Sequence, residues 1–312
     1  MARRLKLSGR LAQALWGALA CCAAALAQPA QAAQAVQAVQ AVQAVQAVHV
    51  PSLDAPRGTA LVLPGLWFAA AATVPAPAMV LMHGCGGLFD GRGRVALRYT
   101  ELTARLNALG IHVLVTDSFT PRGETGLCTQ PLGQRRVTQL QRRRDALGAL
   151  QWLAAQPGVD GLRLGLLGWS NGGSTVLAAL NRRHPEVMAA PVKPSLAVAF
   201  YPGCEAEVQR GFEPTAPLLM LLGELDDWTP AMPCKALSHG APTSPTSAAV
   251  QWESYAGAHH GFDGTAPLRL RRDVPGGVNP GQGVHVGAEP AARAAAALRL
   301  QQFVQDTWGL KR

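Results

Sequence analysis

"LLGWSNGGSTVL", residues 166–177, sets an aliphatic run against a glycine-flanked serine and then a stretch compatible with a helix. Gly168, Ser170 and Gly172 fit G-x-S-x-G, the pattern of a serine held on a sharp strand-to-helix turn. At such a turn the serine backbone is strained, and small residues two before and two after it keep the hydroxyl exposed. A helix N-terminus directly behind it favours developing negative charge. A serine that merely caps a helix after a strand accounts for the same five residues. The rest of the chain has to decide between the two.

Outward from this stretch, short apolar runs alternate with amphipathic ones, which predicts strands crossing over through helices into a mostly parallel sheet. Strands are expected at 59–67, 78–82, 111–116, 163–168, 195–201, 216–222 and 248–255, and helices at 94–109, about 134–155, 171–184, 231–239 and 290–308. Gly110, Pro157 and Gly158 stand where helices should stop. The middle strands read as unbroken aliphatic runs, so the sheet should be covered on both faces.

The first ten residues carry Arg3, Arg4, Lys6 and Arg10 with no acid, and a run of mostly Leu and Ala follows from Leu11 to Leu26. That is the layout of a secretory signal, with cleavage expected after Ala27 or as late as Ala32. The run is too short to span a bilayer, and no later stretch does better. Cys21 and Cys22 lack a good lipobox, so the reading is an exported, periplasmic or secreted protein without a lipid anchor. Residues 34–48 repeat Gln-Ala-Val without charge or turn formers. We assign 28–48 to a tether and 49–312 to a single domain.

The formal net charge of +9 falls by four, to +5, when the signal is removed. Arg135, Arg136, Arg142, Arg143 and Arg144 form the densest basic cluster left, on an expected amphipathic helix where a solvated face is the simplest reading. No nucleic-acid motif accompanies it, so nucleic acid is not an expected partner. Past the signal, four cysteines remain: Cys85, Cys128, Cys204 and Cys234. None stands in metal-ligand spacing, and in an oxidising compartment they allow two disulfides in three possible pairings.

Three further segments follow expected strands. His83-Gly84-Cys85-Gly86-Gly87 is similar to the glycine-rich loops that aim a backbone N–H at a substrate carbonyl oxygen. Asp226 and Asp227 supply carboxylates in "GELDDWTP", and His259 and His260 supply imidazoles in "YAGAHHGFD". Serine, acid, histidine is the chain order of α/β-hydrolase triads, unlike that of chymotrypsin-type or subtilisin-type enzymes.

Together, "HGCGGL", "DSFTPRG", "GLLGWSNGGS", "FYPGC", "LLGELDDWTP" and "YAGAHHGFD" resemble the dienelactone hydrolase family, over nearly everything from residue 55 onward. The resemblance implies an α/β-hydrolase fold with Ser170 as nucleophile, Asp226 as acid and His260 as base. It selects Asp226 over Asp227 by its spacing from the glycine and proline, and His260 over His259 because His260 precedes Gly-Phe. It implies an oxyanion hole from the Asn171 and Cys85 N–H groups, and disulfides joining Cys85 to Cys128 and Cys204 to Cys234. No cofactor or metal is implied. The family's namesake uses a cysteine nucleophile in the cytosol, so the serine and the export signal point away from dienelactone and toward ordinary carboxylic esters.

Two other readings stay open: a polyester- or peptide-directed hydrolase, since "GWSNGG" is one residue from the "GWSMGG" elbow of cutinase-like enzymes, and a non-catalytic binding protein. Trp169, Trp228 and Arg122 are candidate substrate-binding residues, with Arg271 and Arg272 as further carboxylate binders. Residues 264–289, rich in Gly, Pro and Arg, are either a surface loop or a lid.

Overall fold

The computed structural model of the protein describes residues 45–72, 74–239 and 248–311. The leader expected at 1–27 and the tether up to residue 44 lie outside them. The expected runs become strands β2 (Val62–Phe68), β3 (Ala76–Met82), β4 (His112–Thr116), β5 (Val159–Trp169), β6 (Leu196–Phe200), β7 (Leu218–Gly223) and β8 (Val250–Tyr255), preceded by an unforeseen strand β1 (Gln46–Pro51). They form one sheet in the order β1-β2-β4-β3-β5-β6-β7-β8. β2 runs antiparallel to both its neighbours, and every pairing from β4 to β8 is parallel.

Helices α1 (Leu97–Ala108), α2 (Gln139–Ala154), α3 (Asn171–Leu180), α4 (Pro185–Ala189), α5 (Glu205–Arg210), α6 (Ala231–His239) and α7 (Pro290–Trp308) connect or follow the strands. Successive strand residues face opposite sides of a sheet, and the burial divides accordingly. Val80, Leu166 and Leu218 pack with Leu150 of α2 and Leu177 of α3, while Leu81, Leu167 and Leu219 pack with Leu106 of α1 and Phe303 of α7. This is the mixed α/β architecture expected, with the central strands covered on both faces. None of the described helices is long and apolar enough to cross a membrane.

Element ends follow local chemistry. Thr138 and Gln141 form a capping box at the start of α2, an arrangement that satisfies two of the N–H groups a helix start leaves unpaired. Gly110 and Gly158 adopt left-handed backbone after α1 and α2. The run expected as one helix over 171–184 is broken at Asn181, which is extended, and Pro185 opens α4 as its first residue. β1 takes in the last Gln-Ala-Val unit, so the sheet begins three residues before the domain start assigned from sequence. Val48 and Val50 turn inward there and join the core, against Gly65 of β2, where a Cβ would lie 3.1 Å from each of their side chains.

Chain order reverses at β3: the next strand, β4, lies on one side of it and β5 on the other. The carboxyl ends of strands at such a reversal border a crevice suited to ligands. Ser170 sits at that edge, directly after β5.

Candidate active site

Ser170 occupies φ 53° and ψ −118°, a backbone conformation that costs a non-glycine residue on the order of 1–3 kcal/mol. The turn has room only for glycines around it. A Cβ on Gly168 would lie 2.3 Å from the Gly172 carbonyl oxygen, and one on Gly172 would lie 2.1 Å from that of Met82. The elbow therefore closes against the end of β3, and Ser170 N–H donates to the Phe200 carbonyl of β6 at 2.9 Å.

His260 reaches the serine from the loop after β8, its Nε2 2.9 Å from Ser170 Oγ. Its Nδ1 lies 2.8 Å from Asp226 Oδ2, on the loop after β7. With a carboxylate facing Nδ1, that nitrogen carries the proton and Nε2 is left to accept one from the hydroxyl. Asp226 is fixed in turn: its Oδ1 accepts the N–H groups of Trp228 (2.9 Å) and Thr229 (2.8 Å), and Thr229 Oγ1 stands 3.1 Å from Oδ2. Gly223 lets the two loops meet, since a Cβ there would lie 2.6 Å from the Ala258 carbonyl oxygen. All three residues are buried.

Among the described residues, neither the Asn171 N–H nor the Cys85 N–H has a backbone or side-chain acceptor. The loop carrying Cys85 is tied down by Leu127 N–H on the Cys85 carbonyl (2.7 Å), by Tyr99 Oη near Gly84 N (3.3 Å) and by the Cys85–Cys128 disulfide. A second disulfide joins Cys204 and Cys234. These are the two pairs the resemblance implied. A cavity of about 680 Å³ opens beside the serine, walled by Cys85, Asn171, Val137, Trp228 and residues 274–278.

A family model described as the dienelactone hydrolase family matches residues 64–306. The chain belongs to that family. A search of curated protein sequences finds no match. Among solved structures, the chain is similar to Thermogutta terrifontis esterase 2 phosphorylated by paraoxon (15% identity, covering 87% of this chain and 97% of that one, TM-score 0.59). It is also similar to a dienelactone hydrolase-like promiscuous phosphotriesterase from metagenomic libraries (21% identity, 85% and 99% coverage, TM-score 0.60). At these identities the likeness is one of fold.

In this dienelactone hydrolase family member the neighbouring candidates separate. Asp227 turns away from His260 to His285, accepting its backbone N–H (2.8 Å) and facing its Nδ1 (2.7 Å), and the His259 ring lies 5.4 Å from that of His285. Trp228 lines the cavity, its ring 4.6 Å from His260. Trp169 does not. Period two in β5 turns it to the face of Leu167, where it stacks on Phe200 and donates Nε1–H to Asp263 Oδ2 at 2.7 Å. Nor does Arg122 line the cavity: its guanidinium is bonded to Asp145 (2.8 and 2.9 Å), Asp54 (2.8 Å) and the Ser118 carbonyl. Arg271 pairs with Asp273 and lies over Trp228, and Arg272 is exposed.

Residues 264–289 carry a two-stranded pair, β9 (Arg269–Arg271) with β10 (Val284–Val286), and the strap between them supplies one wall of the cavity. The strap is pinned by Val278 N–H on the Asp227 carbonyl (2.8 Å), while Gly287 N–H bonds the His260 carbonyl (3.0 Å).

Sequence reasoning missed Thr229, Tyr201, Asp263 and Arg142. Tyr201 has φ 36°, lays its ring 4.6 Å from that of His260 and bonds Asp263 through its hydroxyl at 2.5 Å. Burial pushes the Tyr201 phenol well above its usual range, so it stays protonated. Asp263 thus links the residue before Ser170 to the residue packed on His260. Its position three after the histidine was the available signal.

His83 is buried and neutral. Its Nδ1 faces the Gly84 carbonyl at 2.9 Å, and its Nε2 accepts Ser118 N–H at 3.1 Å. Burial, then the nearby Arg142 charge, hold its pKa well below the ordinary histidine value.

Proposed function

We propose that the chain is an exported serine ester hydrolase that works through an acyl-enzyme. The observation that carries this reading is the unbroken chain Ser170–His260–Asp226 at the wall of a largely apolar cavity. Ser170 Oγ attacks the ester carbonyl as His260 Nε2 takes its proton, and Asp226 holds the imidazole and stabilises its cationic form. The Asn171 and Cys85 N–H groups receive the oxyanion, where each donor is worth roughly 3–4 kcal/mol of transition-state stabilisation. His260 then protonates the leaving alcohol, and water activated by the same imidazole releases the acid.

The two disulfides fit an oxidising compartment and so support export. The strap wall supports discrete esters of small or moderate size over a flat polymer chain. The serine chemistry also fits the organophosphate-modified relative, since a phosphoryl centre can trap the same nucleophile.

Turnover of p-nitrophenyl esters of increasing acyl length, beside Ser170→Ala, tests the proposal. Hydrolysis lost in Ser170→Ala is expected. No turnover by the unaltered protein on any ester points to the binding-protein reading, and clearance of a polyester film points to the polymer-directed one.

A further inference from the structure

Arg142 lies on the first turn of α2 and is 0% exposed. Its Nη1 is 2.5 Å from Asn171 Oδ1, and its Nη2 donates to the His83 carbonyl at 2.7 Å. Its Nε has no partner, and the guanidinium sits over the Phe119 ring at 5.1 Å. Among the described residues no carboxylate lies within 4.0 Å of it. The nearest acid on its own helix, Asp145, is occupied by Arg122 and Ser52. Burial draws the pKa of Arg142 down to about 10, with Asp145 and then Tyr99 opposing the fall. The other deeply placed arginines, Arg122 and Arg143, are paired with carboxylates.

A buried cation without a counter-ion is costly to the fold. Its two hydrogen bonds end on the two segments that carry the oxyanion donors: the His83 carbonyl opens the loop to Cys85, and the Asn171 side chain belongs to the residue whose own N–H is the other donor. We propose that Arg142 is a positioning residue for the oxyanion hole, clamping these segments together and setting a fixed positive charge behind the point where negative charge develops. The inference rests on the serine hydrolase reading above. Such a charge stabilises the tetrahedral state more than the neutral ester, so its effect belongs in kcat and not in KM.

The test compares Arg142→Met, Arg142→Lys and Asn171→Ala with the unaltered protein. Readouts are kcat and KM on p-nitrophenyl butyrate, inhibition by a trifluoromethyl ketone that forms a tetrahedral adduct, and inhibition by the unreactive amide analogue of the ester. Arg142→Met is expected to lose about a hundredfold in kcat with KM within about twofold, and to weaken the ketone in step while leaving the amide unchanged. Arg142→Lys should recover about tenfold of that loss. If Arg142→Met does not fold, Asn171→Ala decides, since it keeps the backbone donor and removes one end of the clamp. Folded Asn171→Ala should lose about tenfold in kcat and in ketone affinity.

Wild-type kcat and ketone affinity in the folded variants would overturn the inference, as would equal weakening of ketone and amide. Ser170→Ala separates the two readings. An active Ser170→Ala overturns the hydrolase mechanism together with the clamp, and an inactive one beside a normal Arg142→Met overturns the clamp alone.

Discussion

Asp226 and Asp227 stand side by side after β7, and their carboxylates serve different halves of the site. Asp226 is buried, receives two backbone N–H groups and orients His260 from 2.8 Å. Asp227 faces outward and latches the strap through His285, whose side chain is 46% exposed. The Ser170–His260 half is thus held by buried backbone bonds, glycine clearances and a disulfide, while the side-chain latch on the strap side is a hydrogen-bonded pair in contact with water. Water screens and competes for such bonds, so chemistry and substrate selection should respond very differently to loss of a single carboxylate.

The largest effect should follow from breaking the buried side. Asp226→Asn is expected to lower kcat by about ten-thousandfold, because the amide favours the wrong imidazole tautomer, with thermal stability nearly kept. Steady-state kinetics and a melting curve check it together.

Next comes the framework beneath the site. Arg122→Ala leaves Asp145 buried without its cation and Asp54 with Arg144 alone, and should destabilise the fold by about 3–5 kcal/mol in urea unfolding. The residual folded enzyme should keep its kcat within about twofold for neutral and carboxylate-bearing esters alike. A selective loss on the carboxylate-bearing ester would return Arg122 to the substrate.

His83 gives a smaller, pH-dependent term from the same buried half. Its folded pKa lies below the unfolded value because burial disfavours the imidazolium. The contribution is therefore complete above the unfolded pKa near 6.5 and is lost as pH falls through the folded value, by up to about 1.4 kcal/mol per pH unit. Unfolding free energy between pH 7.5 and 4.5 should decline, and His83→Gln should flatten that slope.

Asp227→Asn should have the mildest effect. Weakening the latch by about 1 kcal/mol should raise KM for long-chain esters about fivefold and leave kcat on short ones nearly unchanged. A loss of kcat on every ester would mean that the strap supports the chemistry and not only the wall.

The parallel sheet was legible because its strands are unbroken aliphatic runs, and the site because three motif loops follow such runs in triad order. β1 was hidden because the period-three repeat masks the two-residue alternation of Val48 and Val50, which only a partner strand reveals. Trp169 adjoins Ser170 in sequence, yet a strand sends neighbours to opposite faces, and it left for the core. Arg122 read as a free cation because its partners Asp145 and Asp54 lie 23 and 68 residues away. Arg142 was grouped with a solvated basic face, since composition cannot tell which of several arginines on one helix turns inward.

Ser170 as the nucleophile is open to a direct check by intact-protein mass spectrometry after exposure to paraoxon. One diethyl phosphoryl adduct is expected, mapped to Ser170, with matching loss of ester hydrolysis and neither adduct nor hydrolysis in Ser170→Ala. An adduct on another residue, or hydrolysis that persists in Ser170→Ala, would contradict it.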